Sequence, residues 1–204
     1  MGSVEYITAK YNLSLVFSTQ NRHKENLTLL LDLYKNFDKI NESDVFTKVY
    51  IVSGIVLGLL ISEKSKEAYD FALDEDKTFL SQYGKKSLER INYLQRISGV
   101  FKYCGYLEAF EFLEKTQKLI KKSGLEKSIL QVSQLNYVGV AFLDLKDDPV
   151  SAKRYFAEAK ELLDKLSEQD NPLYGLICSN LNLAKEKEID KLIKGMVDSM
   201  FDHD

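Results

Sequence analysis

The chain has 204 residues, 45% hydrophobic and 29% charged, enough apolar material for one sizeable core or a continuous one along an elongated stack, which excludes a disordered chain. A formal net charge of −3 gives no general attraction to nucleic acid or to an anionic membrane, because that affinity comes from clustered Lys and Arg neutralising phosphates. The two cysteines, Cys104 and Cys178, sit in apolar helical contexts that read as buried thiols, and the N-terminal sequence lacks the basic start and apolar core of a secretory signal; both features point to the cytoplasm.

Apolar residues recur at helical spacing almost throughout, with no sustained alternation of a half-buried strand, so the expected fold is all-α. The first two predicted helices cover roughly 4–20 and 25–37, and the third, 44–61, contains the most apolar run, Val49 to Ile61. That run is well short of the roughly 20 residues a bilayer span needs, so no membrane helix is expected. Its Gly54 and Gly58 form a GxxxG pattern, read here as a mark of close helix packing. Helices predicted at 65–82, 87–103 and 106–122 are each followed by a glycine, Gly84, Gly105 and Gly124, able to take the left-handed conformation that closes a helix. A seventh helix is expected at 126–145. The eighth, 149–167, and the ninth, 173–186, start at Asp148-Pro149 and Asn171-Pro172, where a capping side chain precedes a proline whose missing N–H is not needed in the first turn. A tenth is expected at 188–201. The short connections make consecutive helices antiparallel neighbours, and no linker or composition shift breaks residues 1–204 into more than one domain.

The chain also repeats, with a period close to 41 residues. Gly54, Gly99 and Gly139 fall in the first helices of successive hairpins at intervals of 45 and 40, and Ala68, Ala109 and Ala152 in the second helices at intervals of 41 and 43. A small residue lets the partner helix approach, and a ring one turn away fills the space beside it, as Gly139 and Ala152 are set against Phe142 and Phe156. This pattern resembles a tetratricopeptide (TPR) repeat, whose small and large positions match Leu135, Val138, Gly139, Phe142, Ala152, Phe156 and Ala159. Leu135 stands where that family usually has Trp, the closing Pro is absent, and the turn "DLKDDPVS" has one extra residue. The likeness is good over Leu125 to Leu166, fair over Ser87 to Ser123 and weak elsewhere. It implies a right-handed superhelical stack of about five antiparallel hairpins, a TPR-like α-solenoid. A helical bundle without superhelical stacking is the alternative.

The inventory for catalysis is poor, and no enzyme is expected. His23 lies in a polar turn, His203 is the second-last residue, and neither is framed by metal-ligand spacing. The "DDP" at 147–149 is accounted for by capping. There is no phosphate-binding glycine loop, nucleophile elbow or HExxH pattern, and the acidic runs lie among lysines like the wet faces of helices. No cofactor and no metal are expected.

In the family this resembles, the first helix of each hairpin lines the concave surface. Mapped onto this chain, the groove positions are Tyr93, Arg96, Val100 and Tyr103 from one repeat and Ser133, Asn136, Val140 and Asp144 from the next. Lys48, Ile51 and Ile55 before them, and Tyr174 and Ile177 after them, follow less directly. The expectation is a non-catalytic scaffold that binds a protein or peptide, with no direct nucleic-acid contact. The similar domains that grip a chaperone's C-terminal carboxylates use several Lys, Arg and Asn together, whereas only Lys48, Arg96 and Asn136 resemble them here, so that partner class is not expected. The roughly 40-residue degenerate repeats also look like the ligand domains of Gram-positive peptide-sensing regulators, and the alternative is such a domain lacking its DNA-binding part, since no basic recognition helix is evident near the N-terminus. A further alternative is a self-associating structural module. Ile193, Met196, Val197, Met200 and Phe201 form an apolar stripe in the last helix, which either packs on the preceding helix or pairs two copies into a homodimer.

Overall fold

A computed structural model describes residues 4–37 and 45–201. Within them the chain is all-α: α1 (Val4–Thr19), α2 (His23–Phe37), α3 (Val45–Ile61), α4 (Ser65–Tyr83), α5 (Leu88–Tyr103), α6 (Ala109–Lys122), α7 (Ile129–Lys146), α8 (Pro149–Lys165) and α9 (Pro172–Phe201). None of the described helices is long and apolar enough to cross a membrane. His203 lies outside the described residues, as do the side chains of Met200 and Phe201.

The helix ends form where local chemistry favours them. The Asp148 carboxylate accepts from the Ser151 N–H at 3.0 Å ahead of Pro149, and Asn171 Oδ1 accepts from the Leu173 N–H at 3.0 Å ahead of Pro172. Gly84, Gly105 and Gly124 take positive φ of +89°, +83° and +71°, as a glycine stop allows, although Gly84, with ψ of 173°, is extended there and not left-handed helical. Ser128 caps α7 through a bond from the Gln131 N–H at 3.4 Å, which starts that helix at Ile129 rather than 126. The sequence "SILQ" carries the Ser-x-x-Gln signature of a capped start.

One expectation fails: the predicted ninth and tenth helices are a single 30-residue helix. The intended break falls within "LAKEKEIDKLIK", which holds no Gly or Pro and is rich in Ala, Leu, Lys and Glu, the residues that lose least on entering a helix. What changes near Lys187 is the face that carries the apolar residues, not the backbone.

The chain divides after Phe112, inside α6, into two compact units. In the N-terminal unit α1 packs on α2, α2 on α3, α3 on α4 and α4 on α5, and α3 also meets α5. Its core includes Ile7, Leu30, Leu33, Phe37, Ile51 and Ile55. The GxxxG glycines do what their spacing implies: a Cβ on Gly54 would stand 2.7 Å from Leu30 Cδ1, and one on Gly58 3.1 Å from Leu27 Cβ, so α2 lies directly against α3. In the C-terminal unit α7 packs on α8, α8 on α9, and α7 also meets α9 around Val132, Leu135, Ala152, Phe156, Ala159, Leu163, Ile177 and Ala184. Phe156 fills the notch at Gly139, and Phe142 stacks on Tyr155 with ring centroids 5.4 Å apart.

The sequence period reappears as physical contact. The Tyr34 hydroxyl donates to Glu75, 41 residues on, and the Tyr69 hydroxyl to Glu111, 42 residues on. Arg96 donates to Ser53 across 43 residues, and Asn180 to Asn136 across 44. Equivalent helices of successive hairpins are therefore lateral neighbours within each unit, the arrangement of a helical repeat.

Candidate functional site

A polar and aromatic surface of the N-terminal unit lies where α3 packs on α5 and α1 reaches α3 through the ring of Tyr11. α5 contributes Arg96, whose Nε donates to Ser53 Oγ of α3 at 3.2 Å and whose guanidinium carbon stands 4.0 Å from the centroid of the Tyr50 ring. The Ser53 hydroxyl is buried and donates in turn to the Tyr50 carbonyl at 2.9 Å, so its oxygen is oriented to accept from Arg96. Tyr11 of α1 completes the row, its ring 6.2 Å from that of Tyr50 and tilted by 52°. Burial pushes the Tyr11 phenol above the usual tyrosine range, and the charge of Arg96 pulls it partly back. Along α3, Phe46, Tyr50, Ser53, Leu57 and Ile61 share one helix face at spacings of three and four, with Phe46, Tyr50 and Ile61 exposed. Along α5, Arg96, Val100 and Tyr103 do the same, and Tyr103 is 77% exposed.

Tyr93 does not belong to this surface. It is fully buried, its ring stacks on Phe79 at 4.5 Å, and its hydroxyl donates to the Ala72 carbonyl at 2.6 Å. A large ring over a small residue of α4 is core packing, and it has no side chain to offer a partner. The register on α3 is likewise displaced: Ile51 and Ile55 are buried in the core, and Lys48 is buried with its Nζ 3.4 Å from Gln82 Oε1. Tyr50 is exposed instead, and Ser53 is buried.

The other four expected positions lie on α7 in the C-terminal unit. Ser133 is half-buried, Val140 packs partly into the core of that unit, and Asp144 is exposed. Asn136 is largely buried, and its Oδ1 accepts from Asn180 Nδ2 of α9 at 2.9 Å, so half of its amide is already engaged. Tyr174 packs against the core, and Ile177 is buried within it. The eight expected residues thus fall four to each unit; six of them are at least partly accessible, and Tyr93 and Asn136 are buried.

Sequence reasoning missed Tyr11, Tyr50, Ser53 and Asn180. The pairs Ser53/Arg96 and Asn136/Asn180 are separated by one repeat period, so complementary polar residues one period apart were the available signal.

The arrangement is suited to stacking and to charge recognition. Burial pushes the Cys104 thiol above its usual range, away from the reactive thiolate. Among the described residues no three His, Cys, Asp or Glu side chains converge as metal ligands. A separate hollow between α1 and α2 is lined by Phe17, Thr28 and Leu29 and spanned by the Lys10–Asp32 ion pair.

No protein-family model matches the chain, and no curated protein matches it.

Proposed function

We propose that the chain is a non-catalytic scaffold that binds a protein or peptide on the faces formed by the first helices of its hairpins. In this reading the hairpins stack as a TPR-like right-handed superhelix in the cytoplasm, and those faces line its concave side. The observation that carries the reading is the row Tyr11, Tyr50 and Arg96, one residue from each of three helices, flanked by exposed Phe46 and Tyr103. Tyr and Arg are the residues that most often anchor binding surfaces, because they bring large contact area at low conformational cost. The test is capture from source-cell lysate by the wild-type chain beside Tyr50→Ala and Tyr103→Ala, with melting temperatures recorded. A species held by the wild type and lost from folded variants supports the scaffold. Identical captures by all three proteins refute it.

A second reading is favoured by α9. Ile189, Leu192, Ile193, Met196 and Val197 are each between 44% and 59% exposed and recur at helical spacing on one side of the helix, beyond the segment that packs on α8. This stripe does not lie on the preceding helix. Burial of such side chains against a second copy would gain about 1 kcal/mol each, half of the value for complete burial. Self-association through α9 therefore predicts a dimer by light scattering that Ile193→Glu converts to a monomer. A monomer in the unmutated protein at high micromolar concentration sinks this reading.

A further inference from the structure

We infer that the C-terminal halves of α9 from two copies of the chain pair side by side, parallel and in register, as a short two-stranded coiled coil. The inference rests on the self-association reading of α9 and names how the two copies meet.

The C-terminal half of this helix has two unlike sides. Ala184 is buried, and Glu188, Lys191 and Gly195 follow it at spacings of four, three and four, so they share one side. That side is tied to the helix's own unit: Glu188 pairs with Lys153 of α8, and Lys191 Nζ stands 2.6 Å from Asp147 Oδ2 at the end of α7. Ile189, Ile193 and Met196 lie on the other side, turned away from α8. From Ile189 to Asp198 every residue is exposed, about 15 Å of helix that buries no side chain. A helical segment of that length is marginal in water on its own, so cover over its apolar side stabilises it.

The pattern along the open side selects the occupant. Ile189, Ile193 and Met196 are spaced by four and three, the alternation that keeps one seam against a second helix. Glu186, the seam position before Ile189, is charged and ends the apolar seam there. The residues flanking the seam then decide the orientation. In a parallel pair, a residue on one flank meets the residue five places later on the opposite flank of the other copy. Lys185 meets Asp190 and Leu192 meets Val197, each twice by symmetry. Charge faces opposite charge, and apolar faces apolar. An antiparallel pair centred beside Ile193 sets the Asp190 carboxylate against Val197 instead. A seam whose two flanks complement each other needs no second kind of chain, so the occupant is another copy.

The experiment uses the full chain carrying Ile189→Cys, Met196→Cys or Asp198→Cys, oxidised at micromolar concentration, with disulfides mapped by mass spectrometry. A disulfide needs Cα atoms roughly 4–7 Å apart. In the parallel pair positions 189 and 196 each stand opposite their own counterparts, so Ile189→Cys and Met196→Cys are each expected to cross-link to themselves. No antiparallel register does this for both, because bringing 189 opposite 189 leaves the two 196 positions about 20 Å apart. Asp198→Cys, on the side away from the seam, measures random collision. Dissociation constants from sedimentation test the flanks: Lys185→Glu is expected to weaken the dimer roughly threefold to tenfold, and Lys185→Glu/Asp190→Lys to restore it. Failure of the double variant to recover overturns the flank pairing on which the register rests. A cross-link that forms only between mixed Ile189→Cys and Met196→Cys proteins shows an antiparallel pair, which overturns the proposal and leaves self-association standing. No cross-link above the Asp198→Cys level also overturns it, and a monomer by light scattering removes self-association as well.

Discussion

Replacing Gly139 by alanine isolates the role of close helix approach in this fold. A Cβ built there stands 2.5 Å from Phe156 Cε1 and 2.9 Å from both Cδ1 and Cζ, against an ordinary contact of 3.4 Å or more, so the ring has to move by close to an ångström. Phe156 is fully buried in the core of the C-terminal unit, between α7 and α8, and has no solvent to move into. Overpacking of this kind costs about 1–3 kcal/mol, and a rigid ring meeting a backbone-fixed Cβ belongs toward the upper end. The helix propensity gained on replacing Gly by Ala returns about 1 kcal/mol. The net expectation is a destabilisation of about 1–2 kcal/mol, read as a lower urea midpoint with an unchanged m-value. The same substitution at Gly175, where a Cβ meets nothing within 4 Å, carries only the propensity term, so it is expected to stabilise by about 0.5–1 kcal/mol. Pairing Gly139→Ala with Phe156→Leu should recover part of the loss, giving a coupling energy in a double-mutant cycle. Stabilisation by Gly139→Ala to the extent seen at Gly175 would refute the packing argument.

The Tyr69 phenol is pushed up to about 12, first by its hydrogen bond to Glu111 and then by burial. The folded chain therefore keeps a proton that the unfolded chain loses near pH 10, so this contribution to stability is complete below about pH 10 and declines as pH rises toward 12. Urea midpoints between pH 9 and 11.5 should fall less steeply in Tyr69→Phe than in wild type; parallel slopes would remove Tyr69 from the alkaline transition. Asp148→Ala should cost about 1 kcal/mol at neutral pH, the usual value of a lost N-cap. Hydrogen bonds from Ser151, first its hydroxyl and then its N–H, hold the Asp148 carboxyl below the usual carboxylate range. Its contribution is therefore present above that range and lost as pH falls through the depressed value, so the wild-type advantage should shrink on acidification. A difference independent of pH would show that the cap acts without its charge.

Features set by neighbouring residues were readable from the sequence. Asp148-Pro149, Asn171-Pro172 and the positive-φ Gly84, Gly105 and Gly124 depend on a few consecutive positions, and each starts or stops its helix as read. Contacts one period apart were readable only in part. Helical spacing puts Tyr93 with Arg96, Val100 and Tyr103, yet it does not say which edge of that face turns inward, and the aromatic stack of Phe79 with Tyr93 draws that edge into the core. The same uncertainty of rotation put Ile51 and Ile55 on the accessible face of α3, where Tyr50 stands. In α9 the apolar positions shift to another side of the helix after Ala184, and a change of environment was read as a change of backbone.

The tyrosine-to-glutamate bonds have a consequence for how such a chain can change in length. α4 accepts from Tyr34 at Glu75 and donates from Tyr69 to Glu111, so one helix carries both halves of the same connection, facing opposite neighbours. The loop closed by each bond stays near 42 residues however many periods the chain contains, so the entropy of closing it does not grow with length.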